Sequence, residues 1–153
     1  MVICGKLILN EIVVRVNAAK CFTVLADKTT DSGRKEQLAV CVRYVHISDC
    51  GKLREDFISF TDVSADASTP GIAKSMLAVL KSSGIDIRYC YGQGYDGTST
   101  MSGHENGVQA IIRGECPLAL YTHCASHCLI LALNKECTVA IVRNALAVVS
   151  EMI

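Results

Sequence analysis

The chain has 153 residues, with 15 Lys and Arg against 15 Asp and Glu, and half of its residues are hydrophobic. This length suits one domain, and a charged fraction of only 20% excludes intrinsic disorder, which requires low hydrophobicity and high net charge. A formal net charge of zero argues against a freestanding nucleic-acid-binding domain, because such domains usually carry an excess of basic residues.

The nine cysteines and the N-terminal pattern indicate the compartment. An odd number of cysteines in a chain of this size does not fit a small secreted disulfide scaffold. Lys6, Glu11 and Arg15 interrupt the first apolar stretch, so it lacks the pattern of a signal peptide. These two observations indicate a reducing compartment, cytoplasm or nucleus. No uncharged apolar run approaches the roughly 20 residues of a membrane span, so we expect no membrane partner.

Hydrophobic periodicity predicts a leading helix followed by three strands. Leu7, Ile8, Ile12 and Val16 have nearly helical spacing, whereas the next three apolar segments are short or alternate with polar residues. Short polar turns join these strands, so we expect an antiparallel meander. The predicted bounds are 7–20 for the helix and 21–26, 37–46 and 52–61 for the strands.

A crossover connection is predicted in the second half. Thr69 is a good N-cap, Pro70 stands at the first helical position and Gly84 ends the predicted helix. A helix between two strands places a parallel pair in the sheet, so the expected fold is a mixed sheet of order β-β-β-α-β-α-β flanked by helices. The remaining predictions are a strand at 85–91, a glycine-rich loop at 92–97, a helix at 107–114, a strand at 119–122 and a helix from 124 onward.

Two carboxylates stand out by position. Asp27 ends the predicted first strand, and Asp96 lies in the glycine-rich loop after the fourth. If the crossover returns the fourth strand beside the first, both lie near one edge of the sheet, where paired carboxylates suit Mg²⁺ or Mn²⁺. Gly92, Gly94 and Gly97 would let the backbone approach a phosphate or fold tightly. Acidic residues are also common in turns at strand ends, so spacing alone leaves both interpretations open.

A cluster of histidine and cysteine lies near the start of the last predicted helix. His123, Cys124, His127 and Cys128 are ligand types that hold Zn²⁺. A structural zinc site usually takes two separated ligand pairs, and no second pair has the usual finger spacing. A buried cysteine with a hydrogen-bonded histidine at the helix start is the competing interpretation. A Cys–His nucleophile would need an orienting group and an oxyanion hole, for which the sequence has no signature.

The combination of motifs resembles the transposase-derived family of hAT type (the hobo and Activator group), in the branch found in MYM-type and TTF-type zinc-finger proteins. The resemblance extends from about residue 10 to the end of the chain. Each motif alone is unspecific, but the combination is specific. The matching segments are FTVLADKTTD (22–31), KEQL (35–38), CVRYV (41–45), GQGYDG (92–97), MSG (101–103), NGVQ (106–109) and HCASH (123–127).

The resemblance implies a ribonuclease H-like core over 21–123, after a leading helix at 1–20, with 124–153 as the start of a helical insertion. It also implies three acids holding two divalent metals, Mg²⁺ or Mn²⁺, for DNA cleavage and strand transfer in the nucleus. By resemblance, Asp27 is the first acid and Asp96 the second. Cys124 and His127 fall on the Cys-x-x-His motif of the family.

Several departures from the family pattern qualify that expectation. In the family, the third acid is a Glu that lies beyond the helical insertion. We expect the present chain to stop where that insertion begins. Glu136 and Glu151 are interpreted as surface helix acids. Lys28 stands where the family usually has Glu, which would place a cation beside the metal ligand, and Ile130 replaces a common Asn.

Three functional hypotheses follow from these observations, and the third is a small zinc-binding domain that uses His123, Cys124, His127 and Cys128. The first is a partial catalytic domain of a hAT-type DNA transposase relative, with DNA as the partner of the intact parent and no catalysis by this chain alone. The second is a domesticated, non-enzymatic interaction module that binds a protein partner or itself, because exposed apolar patches mark association surfaces.

Overall fold

The computed structural model describes residues 2–31, 33–47, 49 and 51–136, together with positions 140, 142, 144, 145, 147 and 148. Among these residues, no helix is both long enough and apolar enough to cross a membrane. The elements are α1 (Val2–Ala19), β1 (Phe22–Thr30), β2 (Glu36–His46), β3 (Lys52–Asp62), α2 (Thr69–Ser83), β4 (Cys90–Tyr95), α3 (Ser99–Ser102), α4 (Val108–Glu115), β5 (Leu120–His123) and α5 (Ala125–Glu136).

The strands form one mixed sheet of order β3-β2-β1-β4-β5. β1, β2 and β3 are an antiparallel meander, and β4 lies parallel to β1 on its other side, with β5 parallel to β4. The connection from β3 through α2 to β4 is therefore the predicted crossover. The prediction of a mixed α/β sheet flanked by helices is confirmed. The predicted helix from residue 124 is described as α5, and part of the rest lies outside the described residues.

The fourth strand is displaced from its predicted position. The segment from Ile87 to Tyr89 is a turn of 3₁₀-helix, begun by the Asp86 carboxylate, which accepts a hydrogen bond from the N–H of Arg88. The strand then occupies the segment predicted as a glycine-rich loop. The prediction of a strand at 85–91 was wrong because a few alternating apolar residues do not distinguish a strand from a short helical turn.

The first strand is longer than predicted. β1 continues past Asp27 and pairs with β2 as far as Thr30 opposite Glu36, so the turn of this hairpin is shorter than the predicted polar segment. Asp27 therefore lies inside the β1–β2 pair rather than at a strand end. The pairing of β1 with β4 does stop just before Asp27, at Leu25 opposite Gly94.

The two faces of the sheet differ in their cover. One face, here called the helix face, packs against α1 and α2. The opposite face, here called the open face, carries the alternate residues of each strand. The helix face buries Phe22, Val24, Leu38, Val40, Val42, Tyr44 and Tyr95. The open face exposes Val45, Leu53, Phe57, Phe60 and Leu120.

The ends of α2 have identifiable sequence causes. Its N-cap is Ser68, one residue before the predicted Thr69, and the Ser68 hydroxyl accepts a hydrogen bond of 3.3 Å from the N–H of Gly71. Pro70 lies in the first turn, where it has no helical acceptor to lose. Gly84 ends the helix at φ +86°, a left-handed conformation that glycine adopts without strain. These caps set the length of the crossover, and with it the position of β4.

Candidate metal centre

Asp27 and Asp96 both follow the last residue pair of the parallel β1–β4 ladder. Leu25 pairs with Gly94 in the parallel β1–β4 ladder, and continuing this register by two residues would set Asp27 beside Asp96. Neighbouring strands lie about 4.8 Å apart, and residues at matching positions share a face. Because Ala26 is buried on the helix face, alternation along β1 places Asp27 on the open face, and Asp96 directly follows Tyr95, the last residue of β4.

The two carboxylates differ in their surroundings. Asp27 is exposed, whereas Asp96 is half-buried and held by its neighbours. The Oδ1 atom of Asp96 accepts hydrogen bonds from the hydroxyl of Thr98 at 2.8 Å and from its N–H at 3.3 Å. The carbonyl oxygen of Asp96 accepts a bond of 2.9 Å from the Tyr121 hydroxyl, and burial raises the pKa of Tyr121, so that hydroxyl remains a donor at neutral pH.

The donor set fits a hard divalent cation. Two carboxylates supply the oxygen ligands that Mg²⁺ and Mn²⁺ prefer, and such ions commonly use one or two carboxylates and complete their shell with water or phosphate. Across the described ranges, no group of three or more His, Cys, Asp and Glu side chains could hold a metal ion. Glu136 ends α5, but its side chain and all of Glu151 lie outside the described residues.

Lys28 does not lie beside the two carboxylates. Side chains alternate along a strand, and Lys28 pairs with Leu38, which is buried on the helix face, whereas Asp27 belongs to the open face. The Nζ of Lys28 lies 3.2 Å from the Oε1 of Glu36 and forms an ion pair there. The expectation of a cation beside Asp27 was therefore wrong, because alternation along the strand puts the two side chains on opposite faces.

The glycines of β4 make room for side chains of β1. A Cβ on Gly92 would lie 2.5 Å from the Oγ1 of Thr23, and a Cβ on Gly94 would lie 2.8 Å from the Cδ2 of Leu25. Gly97 has a similar role, since its Cβ would lie 2.5 Å from the Cε1 of His123. Close approach therefore explains the glycine-rich segment, and contact with a phosphate stays a prediction.

A buried glutamine joins two of the sequence motifs. The Gln93 side chain is fully buried on the helix face; its Nε2 donates to the carbonyl oxygens of Ala119 (2.8 Å) and Gln109 (3.2 Å). Its Oε1 accepts from the Tyr95 hydroxyl at 2.7 Å, and burial raises the pKa of Tyr95, which therefore stays a donor. The Nε2 of Gln109 bonds to the carbonyl of Ser102. The network ties β4 to α4, β5 and the end of α3. Sequence analysis missed it, although the two glutamines stand in the quoted motifs.

The histidine and cysteine cluster is not assembled as a zinc site. Cys124 and Cys128 are exposed, and the rings of His123 and His127 are 5.7 Å apart between centroids. The expected buried cysteine with a hydrogen-bonded histidine was wrong as well. The Nε2 of His123 is buried without a hydrogen-bond partner, and the N–H of Cys124 bonds instead to the carbonyl of Tyr95 at 2.8 Å. Ile130, on the exposed side of α5, is 42% accessible.

Comparison with known proteins identifies the family. The family described as "DUF4371: ZMYM1/FAM200, RNase-like domain" matches residues 1–107. The chain belongs to this family. The match includes both aspartates and strands β1 to β4, and it ends before β5 and the histidine and cysteine cluster. The description of the domain as RNase-like agrees with the mixed sheet found here.

Two curated relatives match nearly the whole chain. They are the "52 kDa repressor of the inhibitor of the protein kinase" of Homo sapiens, 32% identical, and its counterpart of Mus musculus, 31% identical, each over 150 residues. The alignments cover 98% of this chain but only 19% of each relative. The chain therefore spans about a fifth of the length of the curated relatives that it matches.

Proposed function

We propose that the chain is part of the metal-binding core of a hAT-type, transposase-derived domain, and that Asp27 and Asp96 together hold one Mg²⁺ or Mn²⁺. In an intact parent the bound ion would lower the pKa of an attacking water or stabilise a leaving oxygen during DNA cleavage and strand transfer. We propose that these two carboxylates alone do not support catalysis, because the resemblance implies three acids that hold two divalent metals. The description of the relatives as repressors supports action in the nucleus.

One observation carries this proposal: Asp27 follows Leu25 by two residues, and Asp96 follows its parallel partner Gly94 by two residues, so both aspartates come directly after the last paired positions of adjacent strands. The hydrogen bonds that Asp96 accepts from Thr98 and Tyr121 support the proposal, because metal ligands are held in place by neighbouring side chains. With Lys28 on the other face and paired to Glu36, neither carboxylate has a basic side chain within 4 Å in the described part of the chain.

Replacing either aspartate by asparagine is expected to abolish Mn²⁺ binding. Each substitution removes one charged oxygen ligand and keeps the shape of the side chain, so the affinity falls while the fold persists. The measurement is the fraction of Mn²⁺ bound, read from the free-ion signal in electron paramagnetic resonance during titration of the wild type, D27N and D96N.

Glu55→Gln is the matched control for this titration. Glu55 also lies on the open face and carries the same charge, but its Oε2 pairs with the guanidinium of Arg43 at 2.7 Å, away from the two aspartates. An exposed ion pair of this kind contributes little to stability. We expect E55Q to bind Mn²⁺ as the wild type does. Equal binding by the wild type, D27N and D96N would disprove the metal site.

A second candidate function is a non-enzymatic module that binds a protein partner or itself. Its support is the apolar character of the open face, where the rings of Phe57 and Phe60 lie in contact with centroids 4.8 Å apart and planes tilted by 51°, while 47% and 58% exposed. Leu120 adds a third exposed side chain to this face, at 69%. Apolar patches of this kind mark association surfaces.

Self-association through the open face is expected to depend on these two rings. Light scattering after size exclusion should give a mass above that of the monomer for the wild type, and a mass close to the monomer for Phe60→Lys, because a charge would have to be buried in the contact. The control Lys52→Gln removes an exposed charge at the start of β3. A wild type that stays monomeric at high concentration contradicts self-association.

A further inference from the structure

We infer that Thr98 is a positioning residue, which orients the Asp96 carboxylate for a divalent metal. This inference rests on the proposed function, since it concerns the same site. It assigns a role to a residue of the loop after β4 that the acidic pair alone does not explain.

The Thr98 hydroxyl bonds to a neighbouring carboxylate and not to the helix that follows it. Thr98 is the N-cap of α3, a position where threonine normally accepts a hydrogen bond from an N–H of the first turn, yet its side chain makes no such bond. The hydroxyl instead donates to the Oδ1 of Asp96 at 2.8 Å. The side chain therefore serves the carboxylate rather than the helix that it begins.

The two oxygens of the Asp96 carboxylate differ in their hydrogen bonding. The Oδ1 of Asp96 accepts two hydrogen bonds from Thr98, whereas Oδ2 accepts none from the described residues. A carboxylate held through one oxygen has a restricted rotation and keeps the other oxygen available to a ligand. Partners of this kind typically change metal affinity 10- to 100-fold when they are removed.

Hydrogen bonds hold the backbone that carries Asp96 and Thr98. The Ser102 hydroxyl donates to the carbonyl oxygen of Gly97 at 3.0 Å, and the Ser102 N–H donates to that of Thr98 at 2.8 Å. The carbonyl of Asp96 accepts from Tyr121, and that of Tyr95 accepts from the N–H of Cys124. Four successive carbonyls are thus held. Because this main chain is held without the Thr98 hydroxyl, loss of that hydroxyl should loosen the carboxylate and leave the loop in place.

The same local motif occurs elsewhere in the chain with a different role. Ser68 donates through its hydroxyl and its N–H to the Oδ1 of Asp66, as Thr98 does to Asp96. The Ser68 hydroxyl also caps α2, by accepting from the N–H of Gly71. Ser68 therefore supports a helix of 15 residues, whereas Thr98 precedes a helix of four. Comparing Ser68 with Thr98 therefore distinguishes a residue that supports a helix from a residue that orients a carboxylate.

The test compares Mn²⁺ dissociation constants of the 153-residue chain and its variants by isothermal titration calorimetry. Thr98→Val keeps the branched shape and the N–H but removes the hydroxyl, and it should weaken binding about tenfold. Thr98→Ser restores the hydroxyl and should bind within about twofold of the wild type. Ser68→Ala is the control, which should lower the unfolding temperature and leave the dissociation constant unchanged.

Each outcome decides a separate claim. If D27N and D96N lose Mn²⁺ and T98V binds like the wild type, Thr98 has no positioning role and the metal site stands. Equal weakening of T98V and T98S also overturns the inference, because the hydroxyl is then not the cause. If D27N and D96N bind like the wild type, the proposed function fails, and this inference fails with it. Circular dichroism establishes that the compared variants are folded at the titration temperature.

Discussion

Replacing Gln93 with leucine is expected to lower the free energy of unfolding by about 3 kcal/mol, because a buried group that loses its partner costs about 1–3 kcal/mol. The substitution keeps the approximate volume of a side chain with no exposed surface. It removes the acceptor of the Tyr95 hydroxyl and the donor to the carbonyl oxygens of Gln109 and Ala119. Urea denaturation of the wild type and the variant measures the difference.

A control and a double variant separate this network from other effects of leucine. Gln37 is a half-buried glutamine of β2, whose amide bonds at 3.2 Å to the exposed Asp31 carboxylate, so Q37L should change stability by no more than about 0.5 kcal/mol. The double variant Q93L/Y95F removes both partners of one buried bond and should be about 1 kcal/mol more stable than the sum of its single changes. Strict additivity would contradict a bond between these side chains.

Replacing Gly92 with alanine is expected to destabilise the chain by about 2 kcal/mol, within the usual range for overpacking. The added Cβ would lie 2.5 Å from the Oγ1 of Thr23, 3.0 Å from its Cγ2 and 3.2 Å from its Cβ. The added Cβ has no rotamer of its own, so either the Thr23 side chain leaves its position or β1 and β4 separate. Thermal unfolding measures the loss, and a Mn²⁺ titration should show weaker binding, because Asp27 lies on β1 and Asp96 directly follows β4.

Two variants test whether contact with Thr23 is the cause. Gly114 lies in α4, where an added Cβ would have no neighbouring heavy atom within 4 Å, so G114A should stabilise the chain by up to about 1 kcal/mol through helix propensity. Thr23→Ala removes the Oγ1 and Cγ2 atoms, and T23A/G92A should therefore recover most of the stability lost by G92A. A double variant as unstable as G92A would show that the clash is not with Thr23.

The topology of the sheet could be predicted because its signals are local. Alternating apolar residues identify β2, and the cap and stop residues of α2 identify the crossover, which requires a parallel strand beside β1. From that arrangement, the prediction that Asp27 and Asp96 lie near one edge of the sheet follows without coordinates, and it stays a prediction. The match to the family description agrees with this sheet.

The position of β4 could not be predicted because glycine is disfavoured in strands on average. Its use here depends on Thr23 and Leu25 of the neighbouring strand, and a pairing of distant residues is invisible to a local pattern. The same limit applies to the site. The bond from Thr98 to Asp96 spans two residues and has a local signature, but the bond from Tyr121 spans 25 residues.

The sheet order also divides the chain by the sequence distance of its contacts. The meander closes through two short turns, whereas β1 and β4 meet only after the chain has travelled through β2, β3 and α2. Closing a longer loop costs more entropy, and distant contacts form later in folding. A ligand that needs both Asp27 and Asp96 binds only after β1 and β4 have paired. By mass action, such a ligand therefore stabilises the pairing of β1 with β4, which joins the neighbouring strands that are farthest apart in sequence.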